Sequence, residues 1–67
     1  MDLKDVMAVN LRRVRHGKGL TQEELATRVG VQRPLISDME KGKKSGSIAT
    51  LKAIAGVLDV ALDDLVV

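Results

Sequence analysis

The sequence has no cysteine, no aromatic residue of any kind, one proline and one histidine. Without thiols there is neither a disulfide nor a thiolate metal site. A single imidazole, His16, excludes a site built from several histidines, so no metal is expected. The core must be assembled from Leu, Ile, Val, Ala and Met alone. No apolar run approaches the roughly 20 residues that a membrane-spanning helix needs. The first residues, MDLKDVMAV, lack the basic start and apolar block of a secretory leader, so a cytoplasmic location is expected. There is no second histidine and no glycine-rich loop ahead of a nucleotide-binding helix. With no room for a pocket-sized core either, an enzyme is not expected and no cofactor is implied.

What is present fits one small domain of 67 residues. Chains this short have thin cores and need well-packed helices or a partner copy. Eleven basic residues against nine acidic ones leave a net charge of only +2, but their distribution is uneven. Between Arg12 and Lys44 stand nine basic residues and four acidic ones, whereas from Ile48 onward Lys52 faces Asp59, Asp63 and Asp64. A basic middle suits a surface that meets phosphate; on charge alone, ordinary solvated helix faces suit it equally well.

The organising stretch is TQEELATRVGVQRPLISDMEKG, residues 21–42. Thr21 and Glu24 have the spacing of a capping box, in which each side chain satisfies a free amide of the other's residue. Leu25, Ala26 and Val29 then form one apolar face, and Ile36 and Met39 form another at helical spacing. Gly30 falls where a left-handed turn is needed. Pro34 would break a helix interior but is tolerated in a first turn, where its amide has no intrahelical partner. The residues therefore predict two short helices, about 21–29 and 32–41, joined at a tight turn: a helix-turn-helix. Before it, residues 2–17 carry a stripe of Leu3, Met7, Leu11 and Val14, with Val6 and Val9 on its flanks. After it, GKKSGS forms a loop. Ser47 then caps a helix at about 48–58 with a stripe of Ile48, Leu51, Ile54, Ala55 and Leu58. A last turn covers about Leu62–Val66, where Asp63 and Asp64 read as capping or solvated carboxylates. The expected fold is all-α, a compact bundle of four to five short helices with one core.

Four pieces in order, GLTQEELA, VGV, ISDMEKG and LKAIAGVLDVALDDL, resemble the Cro/C1-type helix-turn-helix, or XRE family, of phage and bacterial repressors. The resemblance covers nearly the whole chain. It implies a lambda-repressor-like DNA-binding domain over residues 1–67 and an ion pair between Arg15 and Glu40 that ties the first helix to the third. Without the resemblance, those two charges read equally as solvated surface groups worth about 0–1 kcal/mol. The chain departs from the family in two places. Ser45-Gly46 replaces the usual asparagine-proline pair, and Asp59 stands where a glycine is usual.

If the second helix of the motif enters the major groove, its N-terminal residues reach base edges. Arg33 can donate two hydrogen bonds to guanine, and Gln32 can pair with adenine or hold a phosphate. Pro34 and Leu35 offer apolar surface to a thymine methyl, and Ser37 can bond either base type. Asp38 can accept from a cytosine amine or repel the backbone at wrong sequences. Thr21 and Gln22, with the amides at the start of the preceding helix, suit phosphate, as do Lys41, Lys43 and Lys44 at the far end. The implied function is a sequence-specific transcriptional regulator, repressor-like, bound as a homodimer to two half-sites of double-stranded DNA. Leu62, Leu65, Val66 and Val67 offer a dimer surface within residues 58–67. The alternative is an antitoxin or controller whose main partner is another protein.

Overall fold

In the computed structural model, which describes residues 2–67, the described residues form five helices and no strand. They are α1 (Leu3–Gly17), α2 (Gln22–Val29), α3 (Arg33–Glu40), α4 (Ile48–Leu58) and α5 (Asp63–Val66). Each helix of more than one turn starts where the local chemistry supplies a cap or a fixed φ. Asp2 accepts from the amide of Asp5 ahead of α1, and Ser47 accepts from that of Thr50 ahead of α4. Thr21 and Glu24 close a full capping box on α2, with Thr21 Oγ1 accepting from the Glu24 amide at 3.0 Å and the Glu24 carboxylate accepting from the Thr21 amide at 3.0 Å. The Thr21 amide bond, with its hydroxyl bond second, holds the Glu24 carboxyl below the ordinary glutamate range. At α3 the N-cap is Gln32, which makes no capping bond, and Pro34 in the first turn presets the backbone.

α2 and α4 stop at left-handed residues. Gly30 (φ 87°) ends α2 and lets the Val31 amide return to Ala26. Asp59 ends α4 in the same region (φ 57°, ψ 46°), the one residue other than glycine with positive φ among those described. Its amide bonds to Gly56 and that of Val60 to Ala55, so the turn forms without a glycine.

α3 packs against both α2 and α1, α4 packs against α2, and α5 packs against α1. Met7, Leu11, Leu25, Ile36, Met39, Ile54, Leu58 and Leu65 are fully buried, so all five helices feed one aliphatic core. Ala26, also buried, keeps the facing surface of α2 flat enough for its neighbours to approach. None of the described helices is long and apolar enough to cross a membrane.

Two expected stripes are shifted. In α1 the buried line runs through Met7, Ala8, Leu11 and Arg15, while Leu3 is 58% exposed and Val14 only half-buried. In α4 it begins at Leu51, and Ile48 is 63% exposed. Both misplaced residues lie in a first turn, past the edge of the helices that cover the rest of the stripe. Arg15 occupies a core position because a carboxylate meets it there. A third correction concerns the C-terminus. Leu65, expected on a dimer surface, is fully buried, and α5 is held to α1 by Asn10, whose amide donates to the carbonyls of Leu65 (3.1 Å) and Val67 (3.2 Å).

Candidate nucleic-acid interface

Helical period divides α3 into two faces. Ile36, Met39 and Glu40 point into the protein, and Arg33, Pro34, Ser37, Asp38 and Lys41 share the other side. Arg33, Pro34 and Lys41 are exposed; Ser37 and Asp38 are half-buried. Gln32 stands exposed at the head of the helix. At the tail, Gly42 (φ 74°) closes a turn in which its own amide bonds to Met39 and that of Lys43 returns to Asp38 at 2.9 Å. The chain turns back there, and Lys43 and Lys44 are both exposed. A side chain at position 42 would meet the exposed Asp5 carboxylate of α1 at 2.9 Å, which can swing aside, so it is the positive φ that calls for glycine there.

The orientation of α3 rests on a buried charge pair. Arg15 on α1 meets Glu40 on α3 in a two-pronged contact, Nε to Oε2 at 2.5 Å and Nη2 to Oε1 at 2.8 Å. Both side chains are almost wholly buried. Arg15 also donates to the carbonyl of Leu20 at 2.8 Å and lies 3.1 Å from the ring Nε2 of His16. Burial pushes the Glu40 carboxyl upward, yet hydrogen bonds from Arg15 and Gln22 and the charges of Arg15 and Arg12 outweigh it, leaving the group below its ordinary value. The hydrogen bond to Glu40 raises the Arg15 guanidinium further, against the effect of burial. Every described buried polar side-chain atom has a partner.

Gln22 reaches from the head of α2 to α3. Its amide nitrogen donates to Glu40 Oε1 at 3.2 Å, and its oxygen lies 3.5 Å from Arg33 Nη1. The side chain therefore spans the gap between α2 and α3. The backbone amides of Gln22 and Glu23, which have no intrahelical partner, remain at the head of α2. Thr21 is exposed, but its hydroxyl is engaged by the capping box. Arg15, Glu40, Gln22 and Arg33 thus form one continuous chain of contacts from the core to the exposed face. Spacing along the chain gave no hint of the Gln22 link, because it joins two helices across their interface.

Of the expected DNA contacts, Gln32, Arg33, Pro34, Lys41, Lys43 and Lys44 are exposed and Ser37 and Asp38 half-buried, all on α3 or the segments that flank it. Of the residues expected at a dimer surface, Leu62 and Val66 are half-buried and Val67 is 87% exposed. Lys44 Nζ lies 3.8 Å from Asp38 Oδ2, a pairing not expected from the sequence. The turn at Gly42 returns the chain toward α3, with the Lys43 amide bonded to the Asp38 carbonyl.

The described residues contain no cluster of His, Asp and Glu able to hold a metal ion. Residues 11–65 match the model of the helix-turn-helix family HTH_3. An uncharacterized HTH-type transcriptional regulator of Sinorhizobium fredii is 36% identical over 98% of this chain and 86% of its own length. The crystal structure of the hypothetical transcription factor NHTF from Neisseria superposes with a TM-score of 0.93 at 35% identity, over 98% of this chain and 76% of that one. The restriction-modification controller protein C.AhdI from Aeromonas hydrophila gives a TM-score of 0.88 at 31% identity, over 92% of this chain and 94% of its own. The family match runs from the second half of α1 through α2, α3 and α4 into α5 and includes the face just described, and on these grounds the chain belongs to the Cro/C1-type (XRE) helix-turn-helix family of DNA-binding transcriptional regulators.

Proposed function

We propose that this regulator is a homodimeric repressor that reads an inverted repeat, with α3 of each copy in the major groove and no catalytic activity of its own. One observation carries the reading: the outward side of α3 presents Arg33, Pro34, Ser37 and Asp38 together, on a helix anchored by the Arg15–Glu40 pair. Anchoring matters because base readout needs side chains held in one register. Arg33 reads a guanine through its two parallel donors. Gln32 takes an adenine or a neighbouring phosphate, Pro34 covers a thymine methyl, and Ser37 completes the contact. Lys41, Lys43 and the amides at the head of α2 hold the phosphates on either side. Two copies meet through Leu62, Val66 and Val67, which sets two recognition helices about one turn of the duplex apart. Such a protein works in the cytoplasm.

The test is an unbiased selection of duplex DNA by the purified protein near physiological salt, with Arg33→Ala in parallel. The expected result is an inverted repeat for the wild type and relaxed preference at one position of each half-site for the variant, with a loss of about 1–3 kcal/mol at that position. Weak binding that enriches no sequence overturns the reading. The second reading is an antitoxin or controller that acts mainly through a protein partner; likeness to a restriction-modification controller protein fits the controller role and leaves the partner to be tested. A monomer with negligible DNA affinity alone would make that partner the principal one.

A further inference from the structure

Asp38 is an unusual residue for a surface that faces phosphate, and its surroundings suggest why it is tolerated. The turn at Gly42 folds the chain back so that Lys44 Nζ lies 3.8 Å from Asp38 Oδ2. The lysine side chain is 61% exposed and the aspartate 31% exposed, so the lysine is free to swing away while the carboxylate is held by its helix. A carboxylate only accepts hydrogen bonds. In the major groove only two base groups donate, the cytosine N4 amine and the adenine N6 amine; the remaining polar groups, on guanine and thymine as well as adenine N7, accept. Lys44 thus has two rival anions within reach, Asp38 and a DNA phosphate.

We infer that Asp38 and Lys44 form a coupled reader, in which Asp38 selects a base amine and, by accepting from it, releases Lys44 to a phosphate. This deepens the reading of α3 as the recognition helix and rests on it. Where the groove presents cytosine N4 or adenine N6, the amine satisfies the carboxylate and the lysine adds one phosphate contact. Every base pair presents one such amine, so it is the orientation of the pair that counts: where the base beside the carboxylate is guanine or thymine, Asp38 faces an acceptor. It then keeps Lys44 as its partner, and both the base contact and the phosphate contact are lost. Asp38 stands five positions after Arg33, about 7.5 Å along the axis. The base it reads is therefore distinct from that read by Arg33.

The experiment measures affinity of the wild type, Asp38→Asn, Lys44→Gln and the double variant across a salt series. The probes are the selected duplex and duplexes altered at single positions of each half-site. Asparagine has nearly the shape of aspartate but also donates, so folding is checked by melting and the fold is retained. For the wild type, one altered position should lower affinity about tenfold and also reduce the salt dependence by about one phosphate contact per half-site. In Asp38→Asn the preference at that position should fall to about twofold, with equal salt slopes on both duplexes. Lys44→Gln should weaken the preferred duplex more than the altered one, and in the Asn background it should weaken both equally. A uniform rise in affinity for Asp38→Asn with the sequence preference intact would overturn the inference and leave the recognition helix standing. Equal losses from Lys44→Gln on both duplexes in the wild-type background would also overturn the coupling. Absence of any preferred sequence for the wild type would overturn the underlying reading as well.

Discussion

Glu40 is a carboxylate inside an aliphatic core, tolerable only because Arg15 and Gln22 bond to it. Removing it leaves the Arg15 charge buried without its partner. Glu40→Ala should destabilise the domain by about 3–5 kcal/mol, read as a fall in thermal midpoint, since breaking a buried pair costs more than the pair contributes. A change near zero would place the two groups in effective contact with solvent. The same carboxylate predicts a pH dependence. Its folded pKa lies below the ordinary value, so the unfolded chain takes up the proton first. Its stabilisation is therefore full above the ordinary glutamate range, near pH 4.3, and is lost as pH falls through the folded value. Acid titration of the wild type beside Glu40→Gln should show a steeper loss of stability below about pH 4.3 in the wild type.

At the scale of helices, the ends carry the instruction. The capping box at Thr21 and Glu24, the turn at Gly30 and the proline of α3 are all decided by residues within four positions of one another, and all three stand in the structure as their chemistry requires. Asp59 is the strained end. An L residue at φ 57° crowds its own carbonyl, and glycine does not. Asp59→Gly should stabilise the domain by about 0.5–1 kcal/mol, measured by denaturant midpoint. Stripe positions were less legible. Leu3 and Ile48 obey helical period yet lie exposed, because period says which residues share a face and not how far along the helix its neighbours extend.

For the whole molecule, the question is which apolar residues close the core and which are left over. Leu65, two positions from the last residue, is fully enclosed by a one-turn helix that Asn10 fastens from the opposite end of the chain. Leu65→Ala should cost about 2–5 kcal/mol in unfolding experiments, as other buried leucines do. Val67→Asp should leave the folded monomer's stability within about 0.5 kcal/mol. If the proposed dimer forms through this surface, it should also weaken self-association in sedimentation. A large loss of monomer stability from Val67→Asp would move that residue into the core.

The sequence by itself determined the helices, their caps, the turn of the motif and the all-α class, because each depends on contacts three or four residues apart. It also carried the resemblance from which the Arg15–Glu40 pair was expected. Only the tertiary structure decided which side chains meet across helices: Gln22 with Glu40 at a separation of 18 residues, and Asn10 with Leu65 at 55. The same holds for the burial of Leu65 and for the approach of Lys44 to Asp38. Such contacts are set by packing angles between helices and by the direction in which a turn returns the chain. No local pattern of residue types encodes those quantities directly.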